Sequence, residues 1–164
     1  MTGSSEEQLG DAIRIGGPVR GGRRYAAFTD WRVHYTFGAA VGAELVTVDV
    51  VIHMPRWLET RAAPASLRER WQRYLDALEE HEAGHKAIAV RAANTILTRL
   101  RQLGPGGERV ALGRALAEEI LEDARREELT YDLVTDHGGT DPRIGSGADG
   151  LGRAPPATTD EALS

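Results

Sequence analysis

One feature constrains this chain more than any other. Trp71, Leu75, Leu78, His81, His85, Ile88, Ala92, Ile96, Leu100 and Leu103 follow one another in steps of three or four residues. That period places all ten on one face of a long helix. Ser66 stands before the stripe as an N-cap with Glu69 three positions on, a capping box, and the string GPGG at 104–107 stops the helix after Leu103. A second helix is expected from about Glu108 to Glu128, with Leu112, Leu116, Ile120 and Ala124 facing inward. The short connection makes the two helices antiparallel neighbours.

Upstream the period changes from helical to alternating. Between Arg23 and Phe37, Trp31, Val33, Tyr35 and Phe37 share one face, with Arg32, His34 and Thr36 on the other. After the glycine-bearing turn GAAVGAE, Leu45 to Met54 sets Val46, Val48, Val50, Ile52 and Met54 against Thr47, Asp49 and His53. The two segments read as a hairpin, ended by Pro55, which lacks the N–H that a ladder needs. The expected fold is therefore α+β, a small antiparallel sheet packed on an antiparallel helix pair. Residues 1–22 read as a flexible leader and 139–164 as a disordered tail rich in Gly, Pro, Ser and Thr, which leaves 23–138 as the domain.

Composition narrows the chemistry. The 164 residues suit one domain, and the absence of cysteine excludes a disulfide framework, a thiol nucleophile and a thiolate metal site. With 20 basic and 25 acidic side chains interspersed, the formal charge of −5 argues against a nucleic-acid partner held through its phosphates. No stretch reaches the roughly 18 apolar residues of a membrane span, and no export signal is visible at the start, so the chain as it stands reads as cytoplasmic. Any transition metal must be held by histidine and carboxylate.

The helical stripe is interrupted only where two imidazoles stand in core positions, and buried polar groups require partners. Glu82 lies between them in the string His81-Glu82-Ala83-Gly84-His85, an HExxH motif. Four helical residues turn about 400°, so His81 and His85 project from one face and can share an ion, while Glu82, offset by about 100°, reaches the ion's open side. The competing interpretation is a pair of hydrogen-bonded core histidines without metal. A catalytic zinc site usually has three protein ligands. Glu119, in a Glu-x-x-x-Asp pattern with Asp123, is one candidate. Turning the antiparallel pair around near residue 105 puts it roughly 10 Å along the axis from His85, too far to ligate. The exit of the second helix near Thr130 comes level with His81, so the following segment can fold over the motif, and His137 is the better third ligand. By the same placement Tyr131 can donate to an oxyanion and Asp132 can fix an imidazole N–H, although packing for Tyr131 and a helix-terminal turn for Asp132 are equal alternatives. His34 and His53, on the polar face of the hairpin, either line a cleft or are simply solvated.

The stretch WQRYLDALEEHEAGHKAIAVRAANTIL, a second helix and then YDLVTDHGGT, preceded by TDWRVHYTF and VTVDVVIHMPRW, resembles a bacterial family of predicted secreted zinc-dependent proteases that is otherwise of unknown function. The likeness spans about residues 23–140. It implies a zincin-like fold, zinc at His81, His85 and His137, Glu82 as catalytic base, and export, although this chain shows no signal. The expected activity is that of a zinc-dependent endopeptidase on a peptide or protein substrate, through a zinc-activated water, the Glu82 base and a Tyr131 donor. The substrate would pair with the exposed edge of the strand ending His53-Met54-Pro55. The alternative from another class is a zinc-stabilised binding or regulatory module without turnover. A fourth protein ligand, such as Asp136 or His53, would close the site and mark it. A metal-free helical hairpin scaffold is the third possibility.

Overall fold

The structure is a computed structural model. It describes residues 5–58, 61 and 63–139, the side chains of 136–139 excepted. Within these the chain is α+β, with three helices and two small antiparallel sheets, in the order α1 (Glu6–Gly16), β1 (Val19–Arg20), β2 (Arg23–Arg24), β3 (Phe28–Thr36), β4 (Leu45–His53), α2 (Ala65–Gln102) and α3 (Arg109–Gly139).

The hairpin of β3 and β4 follows the alternation in the sequence. Trp31 pairs with Val50, Val33 with Val48 and Tyr35 with Val46, so these three pairs make one face of the sheet apolar. That face lies on the helix pair: Val33, Tyr35, Phe37 and Val46 pack on buried Ile96, Leu100 and Ala117, and Trp31 on Ile88, Ala92 and Ala124. The first strand is shorter than the alternation suggests. Arg23 and Arg24 pair instead with Val19 and Arg20 across a two-glycine turn in which Gly21 and Gly22 both have positive φ.

Residues 5–22, expected to belong to a flexible leader, hold α1 and β1. Leu9 and Ile13 share one face of α1, Ser5 caps it by accepting from the Gln8 N–H, and Glu6 and Glu7 occupy its first turn. Four residues of spacing suffice to bury both side chains against Trp57, Leu67 and Trp71, at the start of α2. The tail from 140 onward lies outside the described residues.

Helix α2 carries the predicted stripe, with Trp71, Leu78, His81, His85, Ile88, Ala92, Ile96 and Leu100 buried. Its start differs. The chain enters from Pro64, whose carbonyl accepts from Leu67 and Arg68, so Ser66 already sits inside the first turn and makes no cap. Helix α3 differs more. It does not stop near Glu128 but runs unbroken to Gly139, because no proline or glycine interrupts residues 114–137. Its inward face is narrow and small: Ala117 and Ala124 are buried, whereas Leu112, an expected core residue, is 54% exposed. Gly113 marks the closest approach, since a β-carbon there would stand 2.4 Å from the Phe37 ring.

One buried ion pair ties the sheet's turn to the helix connection. Arg109 meets Glu44, donates to the Gly38 carbonyl at 3.0 Å and also reaches the Leu103 carbonyl. Glu44 in turn accepts from the Gly42 N–H, at a turn residue with φ 101°. The Gly42 hydrogen bond, with the charges of Arg109 and Arg101, holds the Glu44 carboxyl below its ordinary value.

Candidate metal centre

The continuation of α3 sets the composition of the site. Glu128, Tyr131, Asp132 and Thr135 recur at helical spacing and face the histidine turn of α2, while Thr29 of β3 closes it from the sheet. His81, Glu82 and His85 are all buried, at 6%, 2% and 8% exposure. Burying three ionisable groups so close together is costly unless polar neighbours offset it, and here each has a polar or charged neighbour within 3.4 Å.

A hydrogen bond to His81 and a charge contact to His85 turn both imidazoles the same way. Thr135 gives its hydroxyl proton to the Tyr131 carbonyl at 2.7 Å, so its oxygen, 3.1 Å from His81 Nδ1, accepts from that nitrogen. His81 Nε2 is thereby left with its lone pair. His85 Nδ1 lies 3.4 Å from the Glu128 carboxylate, a charge contact that orients the ring with Nε2 as the inward atom. Glu128 is steadied in turn by the Trp31 indole N–H at 2.6 Å. A ligating histidine that donates its other ring nitrogen to a hydroxyl or carboxylate is the usual support for a metal site.

The two inward atoms meet. His81 Nε2 and His85 Nε2 are 3.3 Å apart, and Asp132 Oδ1 lies 3.4 Å from the first and 2.9 Å from the second. Bonds of about 2.0–2.1 Å in a tetrahedral array put neighbouring ligand atoms about 3.3 Å apart, so the spacing fits a small divalent ion. Three electron-rich atoms at this separation call for a cation. A proton on His85 answers the need in part: burial lowers its affinity for a proton, but the Glu128 carboxylate and the charges of Asp132 and Glu82 outweigh that and raise it. Two imidazoles and a carboxylate suit a divalent first-row metal, zinc and iron among them.

Glu82 occupies the remaining side. Thr29 donates to its Oε2 at 2.6 Å, and the threonine is itself 2% exposed. Burial pushes the carboxyl above its ordinary value, opposed by the Thr29 hydrogen bond and by His85. Tyr131 stacks on His81 at 5.2 Å, gives its hydroxyl to the His81 carbonyl at 3.2 Å, and is raised by burial and by Glu80, Glu82 and Asp132. The ring covers the backbone at Gly84, where a β-carbon would stand 2.2 Å from its Cζ. The glycine inside the motif is thus required by close approach, not by turn geometry.

The His137 side chain lies outside the described residues, as does Asp136. Asp123 pairs with Arg126 on the exposed side of α3, and Glu119 is also exposed. His34 faces away from the helices and pairs with Asp49 at 3.0 Å. His53 stacks on Phe28 and lies 3.5 Å from Asp30. Neither joins the cluster. Sequence reasoning missed Thr29, Glu128 and Thr135, and gave Asp132 only an orienting role. A signal for two of them was present: positions 128, 131, 132 and 135 continue the spacing of α3 as a polar interruption, the mirror of the one in α2.

Residues 1–138 match the family described as "Bacterial protein of unknown function (DUF922)", and the chain belongs to it. Neither the curated proteins nor the solved structures provide a match.

Proposed function

We propose that this member of the family is a zinc-dependent endopeptidase whose ion is held by His81, His85 and Asp132. The observation that carries the reading is the convergence of two Nε2 atoms and one carboxylate oxygen within 3.4 Å, with Thr135 bonded to the far side of His81 and Glu128 3.4 Å from the far side of His85. When bound, zinc supplies Lewis acidity to a peptide carbonyl and acidifies water. Glu82 takes a proton from water at Oε1, Thr29 having engaged Oε2, and delivers it to the departing amine as the C–N bond breaks. Its raised proton affinity suits the first act, because a carboxylate that holds a proton more firmly takes it from water more readily. Tyr131, bonded to the His81 carbonyl, positions the motif; the oxyanion role proposed from the sequence requires that bond to break.

His137, proposed from the sequence as third ligand, makes a different claim from Asp132. With both bound, four protein donors close the site, which is the mark of the zinc-stabilised module without turnover. Metal analysis and peptide cleavage by the wild type, Asp132→Asn, His137→Ala and Glu82→Gln separate the readings. The proposal expects stoichiometric zinc lost in Asp132→Asn, zinc retained in His137→Ala, and cleavage abolished but zinc kept in Glu82→Gln. Zinc retained only when both Asp132 and His137 are intact, with no cleavage of any peptide, would establish the structural module instead.

A further inference from the structure

We infer that Trp31 is a positioning residue for the metal centre, holding the carboxylate that stands behind His85; the inference rests on the reading of His85 as a ligand. Trp31 lies on the face of β3 that packs on the helices, with its ring against Ile88, Ala92 and Ala124. From that seat the indole N–H donates to Glu128 Oε1 at 2.6 Å, and the same oxygen lies 3.4 Å from His85 Nδ1. Strand, α3 and α2 thus meet at one atom. His85 Nδ1 is buried, and the Glu128 oxygen is the charged group that faces it.

The two contacts of this oxygen are unequal, and the inequality assigns the roles. A carboxylate oxygen has two lone pairs and can accept from both nitrogens. The indole bond is short and charge-assisted, whereas the imidazole contact is long. The indole is also the fixed partner, because its ring is packed, while a glutamate turns about several bonds and gains freedom when its carboxylate swings toward water. Glu128 lines a cavity between β3 and α3, so water is within its range. The indole therefore determines where the carboxylate stands. When Nε2 of an imidazole holds an ion, the ring's proton sits on Nδ1, and a carboxylate opposite that proton orients the ring and strengthens the ligand. Trp31 acts one step further out and touches neither ion nor substrate. Two residues earlier, on the same face of the strand, Thr29 donates to Glu82. One strand thus supports both the base and a ligand, and its docking on the helices sets their relative placement.

A double-mutant cycle on zinc affinity separates positioning from packing. Competition against a chelator is measured for the full-length wild type, Trp31→Phe, Glu128→Met and the double variant. Glu128→Met should weaken binding by about 10–100-fold and Trp31→Phe by about fivefold, as an effect passed on through the carboxylate. The double variant should bind no more weakly than Glu128→Met, because the indole has nothing left to hold. A Trp31→Phe loss that recurs in full in the Glu128→Met background shows a ring that only packs, and overturns the inference, as does zinc affinity unchanged by Trp31→Phe. The second measurement needs no Trp31 variant: the indole N–H resonance of the wild type, assigned by its proximity to Ile88 and Ala124, is followed as zinc is added. It should move on zinc binding, as His85 draws on the shared oxygen, and in metal-free Glu128→Met it should shift upfield. A resonance indifferent to both overturns the inference. Zinc taken up normally but without any dependence on Trp31 leaves the metal centre standing, whereas a wild type that takes up no zinc defeats the centre itself. Absence of peptide cleavage with the cycle as expected defeats the endopeptidase reading alone.

Discussion

Replacing Gly84 by alanine tests the packing of α3 over the histidine motif through the sign of a stability change. In an open helix interior the substitution is favourable by about 0.8–1.0 kcal/mol, because alanine restricts the unfolded backbone and suits the helix. Gly84 lies mid-helix in α2, but its missing methyl is replaced by the Tyr131 ring, with Cζ and the hydroxyl oxygen each 2.2 Å from where a β-carbon would stand. The ring must retreat by about 1.2 Å to reach ordinary contact. It is not free to do so, being stacked on His81 and bonded to the His81 carbonyl. Overpacking of this kind costs about 1–3 kcal/mol, enough to cancel or reverse the helix gain. Gly84→Ala should therefore leave the metal-free protein unchanged or up to about 2 kcal/mol less stable, measured by urea unfolding at constant m-value. In a Tyr131→Ala background, which removes the ring, the same substitution should stabilise by about 1 kcal/mol. The coupling energy of the cycle, about 1–3 kcal/mol, measures the contact itself. A stabilisation of similar size in both backgrounds would refute the close packing of α3 over the motif.

Three further outcomes follow from particular contacts. Thr29→Val keeps the shape of the side chain but removes a hydrogen bond to a buried carboxylate, so the unfolding free energy at pH 8 should fall by about 1.5–3 kcal/mol, and an unchanged value would place Glu82 elsewhere. Burial raises the Glu82 carboxyl, so the folded chain holds that proton more tightly than the unfolded one, and ionisation at higher pH opposes folding. Glu82→Gln should raise the melting temperature of the metal-free protein at pH 8, with the gain shrinking as pH falls toward the ordinary Glu value of about 4.3; a gain independent of pH would contradict it. Arg109→Met leaves Glu44 without its counter-charge and releases two carbonyl contacts. Hydrogen exchange should then accelerate in residues 38–44 and 103–109, while the histidine cluster midway along α2 is undisturbed.

Periodic burial is what made the architecture legible. The α2 stripe and the two alternating strands each present many apolar side chains on one face, and tertiary packing has few ways to use such a face. Where burial depends on two side chains, as in α1, or on a small-residue face, as in α3, the pattern is too thin to separate from loop or surface. Taking Glu128 as the end of α3 had the largest consequence, since a loop after it leaves Asp132 and Thr135 without a defined direction. Once the helix continues, its spacing alone turns both toward His81. His81, Glu82 and His85 were visible because polar residues in an apolar stripe need an explanation. Thr29 was not, because a threonine on an inward strand position is ordinary, and its role appears only when the strand is laid across α2.

Zinc affinity of the Asp132 variant tests the central claim most directly. The wild type should take up one zinc per chain in a competition titration against a chelator, and His81→Ala and His85→Ala should abolish uptake. If Asp132 is a ligand, Asp132→Asn should weaken binding by more than the roughly 10–100-fold that loss of an outer-shell partner costs. An affinity within tenfold of the wild type would contradict the assignment of Asp132, and zinc binding undisturbed by His81→Ala would contradict the centre as a whole.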